Sequence, residues 1–218
     1  MALLPAFGDR QLPARVRLAL AFAFTAIVAP AVGGAIGSVE PARLAGLLGT
    51  ETAAGLALGG VLRLAVLALQ LAGSMIAQST SLSQLLGSAG PEPQPAIARL
   101  MVVAGLAAAV TAGLHVRLAE ALILSYRVLP AGRLPGASTL AEWGIGAVAE
   151  AFGVAFTLAA PFVIAGLVYN LALGVINRAM PQLMVALVGA PAITAGGLIL
   201  LALVLPALLS VWNSWLTE

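Results

Sequence analysis

Apolar residues fall into long runs that polar residues interrupt only briefly, so the pattern predicts helices throughout and no alternating strands. Five segments stand out: Leu18 to Ile36, Leu44 to Ala77, Leu100 to Leu114, Ile145 to Ile176 and Leu183 to Trp212. No charge occurs from Ala151 to Asn177, and none from Ala179 until Glu218. The two uncharged runs meet at Asn177-Arg178-Ala179-Met180-Pro181-Gln182. A lone arginine followed by proline between helix-length apolar runs predicts a tight turn. Proline stops one helix and can open the next, because the first helical turn needs no amide donor there. Residues 151–212 therefore read as a helical hairpin.

Two other stretches read as loops. Ser79 to Pro95 contains three prolines in five residues, which excludes helix interior. Pro130 to Gly136 has the same turn chemistry. Pro30, Pro161, Pro191 and Pro206 fall inside apolar runs and are expected to kink or break their helices.

The segments make awkward membrane crossings. A spanning helix needs about 20 mostly apolar residues. The third segment is charge-free only from Leu100 to Leu114, and the second is too long for one crossing yet carries Arg63. A charged side chain at the bilayer centre costs about 2.5–3.5 kcal/mol on insertion scales. The positive-inside rule would place Arg10, Arg15 and Arg17 on the same side as Arg117, Arg127 and Arg133. Three simple crossings put the two groups on opposite sides. Either the second segment is a hairpin with Arg63 near its tip, or some segments do not span. Both options argue against a plain bundle dissolved in lipid.

Composition fixes the class. Hydrophobic residues make up 61% of the 218 and charged residues 8%, against about 25% charge in soluble domains. Such a chain cannot cover a water-facing surface, so lipid or partner subunits must. Cysteine is absent, which removes disulfides and thiolate metal sites. The net charge of +2 is too small, and the arginines too scattered, for a nucleic-acid footprint. Gly55 with Gly59 and Gly33 with Gly37 form Gly-x-x-x-Gly pairs that allow close helix approach. In a chain with 24 glycines such pairs also arise freely. Arg15 and Arg17 before Leu18 to Ala29 resemble a signal peptide only loosely, because the lead is long and contains Pro5 and Pro13.

Catalytic constellations are missing. His115 is the single histidine, which rules out a paired-histidine zinc site and leaves a serine nucleophile only one imidazole base. It reads as an interfacial histidine bonded to a neighbour, or as a proton relay. Glu51 and Arg63 stand about 18 Å apart on a straight helix and cannot pair directly. Glu142 and Glu150 read as a polar helix entrance, and no phosphate-binding glycine loop is present. No catalytic, cofactor or metal residue is assigned, and the chain is not expected to be an enzyme.

Five short motifs, in order along nearly the whole chain, carry a family resemblance. Leu12-Pro13-Ala14-Arg15-Val16-Arg17 is followed by Gly73 with Gln78-Ser79-Thr80-Ser81-Leu82-Ser83. Next come Ser125-Tyr126 with Leu129-Pro130-x-Gly132, then Asn170-Leu171-Ala172-Leu173-Gly174 with Asn177-Arg178-x-x-Pro181-Gln182-Leu183, and finally Gly189-x-Pro191. Together they resemble the R subunit (FliR) family of the bacterial flagellar type III export gate, related to the T-type subunit of virulence secretion systems. Three departures stand beside the match. Met1 to Pro5 resembles only the tail of the family's preceding apolar helix. Met184 replaces a frequent asparagine, and Gln84 to Pro95 differs from the commonest loop.

The resemblance implies an all-α membrane protein of kinked helical hairpins, packed in a hetero-oligomeric helical gate with P-type and Q-type subunits and meeting the B-type export protein. Residues 1–218 would form one subunit domain at the flagellar basal body in the inner membrane, helping to line a pore for unfolded flagellar substrates. Within it, residues 79–97 would be a pore plug, with Gln84, Leu85, Leu86, Gly87, Pro91, Pro93 and Pro95 as its body. A solvated connector between helices is the plainer reading of the same stretch. Asn177, Arg178, Pro181 and Gln182 would hold the last hairpin turn, and Glu51 and Arg63 would meet charges on partner subunits, because unpaired buried charges are costly. The alternative is a small secondary transporter or channel with broken helices. That alternative expects paired internal repeats, and none is evident in the sequence.

Overall fold

The computed structural model describes residues 13–36, 41–80, 96–133, 136–180 and 185–217. Six α-helices follow in order: α1 (Ala14–Ile36), α2 (Leu44–Thr80), α3 (Ala96–Thr111), α4 (Leu114–Val128), α5 (Ala137–Ala179) and α6 (Val185–Thr217). A short 3-10 turn, Pro41–Arg43, leads into α2. No strand occurs among the described residues. Four helices are long and apolar enough to cross a membrane, and a fifth crossing is possible if α3 and α4 count as one bent span.

Local chemistry sets several boundaries. The Pro13 carbonyl accepts from the amides of Val16 and Arg17, which starts α1 where a missing proline donor costs nothing. Hydroxyls inside the helices turn back on their own backbone: Thr25 donates to the Ala21 carbonyl at 2.8 Å and Thr157 to Gly153 at 2.9 Å. In an apolar surrounding a free hydroxyl would be expensive, and this local bond removes the cost.

The structure corrects the expected segments in three places. The second segment is no hairpin, because α2 runs unbroken for 37 residues and carries Arg63 on its exposed side. The third segment stops at Thr111, and Leu114 opens a separate helix, α4, that the apolar pattern did not indicate. Gly113 makes that break: its φ of +88° leaves the helical region, and α4 departs at 74° from α3. Third, Pro30, Pro161, Pro191 and Pro206 do not break their helices, since α1, α5 and α6 continue through them. The expected loop at Pro130 to Gly136 does fall between α4 and α5.

Two compact units result, residues 1–66 with 106–151, and residues 67–105 with 152–218. In the first, α1 packs against α4, with Phe24, Val32, Leu114 and Leu118 buried. In the second, the later half of α2 (Leu69, Ala72, Ile76) is buried together with Met101, Phe162 and Trp212. On α5, Ala155, Leu158, Ala159 and Phe162 face inward while Phe152, Phe156, Leu167 and Leu171 face outward. Large apolar side chains on the outside suit a surrounding that is itself apolar.

Candidate functional site

The second unit is built on glycines that admit no side chain, and three of them converge on the last turns of α2. A Cβ placed on Gly73 would collide with the backbone of Ala98, so α2 and α3 touch main chain to main chain. A Cβ on Gly166 of α5 would sit 2.8 Å from the Ser79 carbonyl oxygen. One on Gly197 of α6 would collide with the Thr80 side chain. Thr80 is held in place by hydrogen bonds to the Ile76 and Ala77 carbonyls, both 3.1 Å. The point where the chain leaves α2 is thus gripped from α5 and α6.

Beside this grip lies an open, almost wholly apolar cleft of about 200 Å³, whose lining includes Thr80, Phe162, Gly166, Tyr169, Ile193 and Gly197. Tyr169 closes one side. Its hydroxyl donates to the Gly189 carbonyl at 2.8 Å, and a Cβ on Gly189 would press on Leu173 at 2.9 Å. Helices α5 and α6 are therefore held together at this point by one phenol and one glycine. Asn177 and Arg178 lie exposed at the end of α5. Pro181 and Gln182, the rest of the expected turn, lie outside the described residues. So do Gln84, Leu85, Leu86, Gly87, Pro91, Pro93 and Pro95, the body of the expected plug.

The first unit holds a separate polar site. Glu51 Oε2 accepts a hydrogen bond from the Tyr126 hydroxyl at 2.9 Å, and Oε1 accepts from the Gly132 amide at 3.3 Å. Gly132 has a φ of +79°, and a Cβ there would lie 2.7 Å from Leu47. Only glycine fits both conditions, which gives the Leu-Pro-x-Gly motif a physical reason. Sequence reasoning sent Glu51 to a partner subunit because an unpaired charge is costly. Its carboxylate also finds donors within its own chain, Tyr126 and Gly132, which that argument does not name. A separation of 75 positions to Tyr126 leaves no periodic signal that could have paired them. Arg63 is exposed and bonds to none of the described residues.

Removing the carboxylate with Glu51→Ala loses the bonds from the half-buried Tyr126 hydroxyl and the exposed Gly132 amide, at about 0.5–1.5 kcal/mol. The expected outcome is a Tm lower by several degrees in detergent. Glu51→Gln, which keeps an acceptor, should recover part of it.

No group of three or more histidine, cysteine or acidic side chains able to hold a metal occurs among the described residues. The arrangement offers close helix contacts, a small apolar cleft and one carboxylate clamp.

The sequence matches the family described as bacterial export proteins, family 1, over residues 1–218. The chain belongs to this family. It is 35% identical to the flagellar biosynthetic protein FliR of Caulobacter vibrioides over 216 residues, 96% of this chain and 85% of that protein. It is 31% identical to FliR of Escherichia coli over 206 residues, 93% of this chain and 78% of that protein. FliR of Aquifex aeolicus is 28% identical over 209 residues, covering 93% and 79% respectively. The match spans the residues of both units.

Proposed function

We propose that this chain is a non-enzymatic subunit of the flagellar type III export gate in the bacterial inner membrane, at the basal body. It helps to form the pore through which unfolded flagellar proteins leave, packed against P-type and Q-type subunits and adjoining the B-type export protein.

One observation carries the reading. Helix α6 has 33 residues without a single charge, about 50 Å of α-helix. The hydrocarbon core of a bilayer is about 30 Å thick. Lipid covers roughly 20 residues of such a helix, so the remaining apolar surface needs other protein. Large apolar side chains (Leu198, Ile199, Leu203 and Val211) are exposed from the middle of α6 onward. A subunit buried among partners, partly outside the bilayer, accommodates this surface. A transporter working alone does not, and Arg63 offers no buried charged site because it faces outward.

The deciding experiment is purification of the tagged chain from a membrane extract. P-type and Q-type subunits should co-elute at fixed ratio through size exclusion. Recovery as a monomer that binds a small solute would favour the transporter instead. In the same preparation, Arg178→Ala removes the guanidinium in the last turn of α5, where a cation complements the negative end of the helix dipole. Complex yield should fall about three- to tenfold, corresponding to about 1 kcal/mol. Wild-type yield and motility would remove the turn from the functional residues.

A further inference from the structure

The apolar cleft beside Thr80 has no task in the export reading. Two stripes at helical spacing line it: Phe162, Gly166 and Tyr169 on α5, and Ala192, Gly196 and Leu200 on α6. They run along about 10 Å of α5 and about 12 Å of α6. The volume of about 200 Å³, spread over that length, leaves a cross-section of about 17–20 Å². With carbon contact distances of about 3.5–4.0 Å, such a furrow is one alkyl chain wide. Its two polar side chains are already engaged. The Thr80 hydroxyl donates to the Ile76 and Ala77 carbonyls, and the Tyr169 hydroxyl donates to the Gly189 carbonyl. A trapped water needs about two to four polar partners, whereas an apolar cavity of about 150 Å³ stays dry and takes up benzene.

We propose that the furrow is a lipid site, which holds the acyl tail of one membrane phospholipid lengthwise between α5 and α6. Both helical walls belong to stretches long and apolar enough to cross a membrane, Ala137–Ala179 and Pro191–Thr217. Charge is remote from it. Along α5, Glu150 and Arg178 lie about 18 Å and about 13 Å beyond its ends, and α6 carries no charge. The mouth is open at exposed Ala192 and Gly196. Its flanks are apolar, with Ile164, Leu167, Leu198 and Ile199 exposed. An unfilled furrow forfeits dispersion contacts along its walls. The occupant that restores them is uncharged and drawn from an apolar surrounding, where acyl tails are in excess. Size argues against a second protein in this role. A specific protein interface buries about 1,200–2,000 Å², which a furrow of this volume does not provide by itself. The site stands independently of the export reading, because all of its walls belong to the second unit.

The test places the full chain, in its purified complex, in nanodiscs of phosphatidylcholine that carries a diazirine within one acyl tail. After irradiation, mass spectrometry maps the adducts along the chain. Residues 162–169 and 192–200 should exceed exposed Leu203 and Val211, which meet only passing tails, by at least about threefold. Gly196→Leu puts a side chain into the furrow, since open space surrounds a Cβ there. It should abolish the enrichment and leave Tm and the adducts at Leu203 and Val211 unchanged. Ala192→Leu is a second filler and decides the matter if the first lowers the yield of folded chain. Gly174→Leu is equally open but outside the lining, and should keep the enrichment. Enrichment that survives either folded filler would overturn the proposal. Lining residues free of adducts in the unaltered chain would overturn it as well, the pattern left by a partner's side chain seated in the furrow.

Discussion

Gly73→Val is expected to eliminate folded protein, lowering the yield of detergent-stable chain by about tenfold or more. A Cβ at this position meets the Ala98 backbone, which has no rotamer to give. Adding even one methylene to a tight contact costs about 1–3 kcal/mol, and valine adds three carbons against main chain. A typical domain has only about 5–15 kcal/mol to lose. Gly166→Val should come close behind, since its obstacle is the Ser79 carbonyl oxygen. Gly197→Ala should be milder because the Thr80 side chain can turn, at the loss of its hydrogen bonds to Ile76 and Ala77. Gly153→Ala and Gly174→Ala are the controls. Nothing lies within 4 Å of a Cβ at either position, and alanine is the better helix former by up to about 1 kcal/mol. Fluorescence-detected size exclusion after heating would rank the five. Equal survival of Gly73→Val and Gly153→Ala would refute the backbone contact between α2 and α3.

The second large effect concerns the loop that leaves the gripped end of α2. Under the export reading, deletion of Gln84 to Pro95 should make the assembled gate conduct ions, with growth impaired when the complex is overproduced. Ser81, Leu82 and Ser83 would remain to join Thr80 to Ala96, a reach of about 13–14 Å. The contact between Gly73 and Ala98 keeps α2 and α3 together near that join. Because Ser79 and Thr80 are held by α5 and α6, the deletion should spare the helices. Co-elution of P-type and Q-type subunits with the shortened chain would check this. A correctly assembled complex in an ion-tight membrane would rule out the plug.

Much of the fold was legible because lipid-compatible helices write themselves as uncharged runs. Helices α5 and α6 could be placed from two such runs that meet near one proline. Other features left a weaker trace. Helix α4 was missed because its polar residues at 115, 117 and 120 read as a boundary, while its buried side consists of little more than Leu114 and Leu118. The hairpin alternative for α2 failed because an arginine ends a run of apolar letters without ending a helix. At Arg63 the side chain simply faces outward. The role of Glu51 was unreadable for another reason. A carboxylate can be satisfied by a phenol and a backbone amide, and neither of these advertises itself as a charge partner.

By itself, the sequence determined the class, the helical runs, the family motifs and the lack of a soluble face, because these depend on local composition and spacing. Only the tertiary structure decided which glycines are contacts, where α3 turns into α4, and which groups satisfy Glu51. Those depend on which distant segments meet, and in a chain so rich in alanine, glycine and leucine nearly every segment looks able to meet every other.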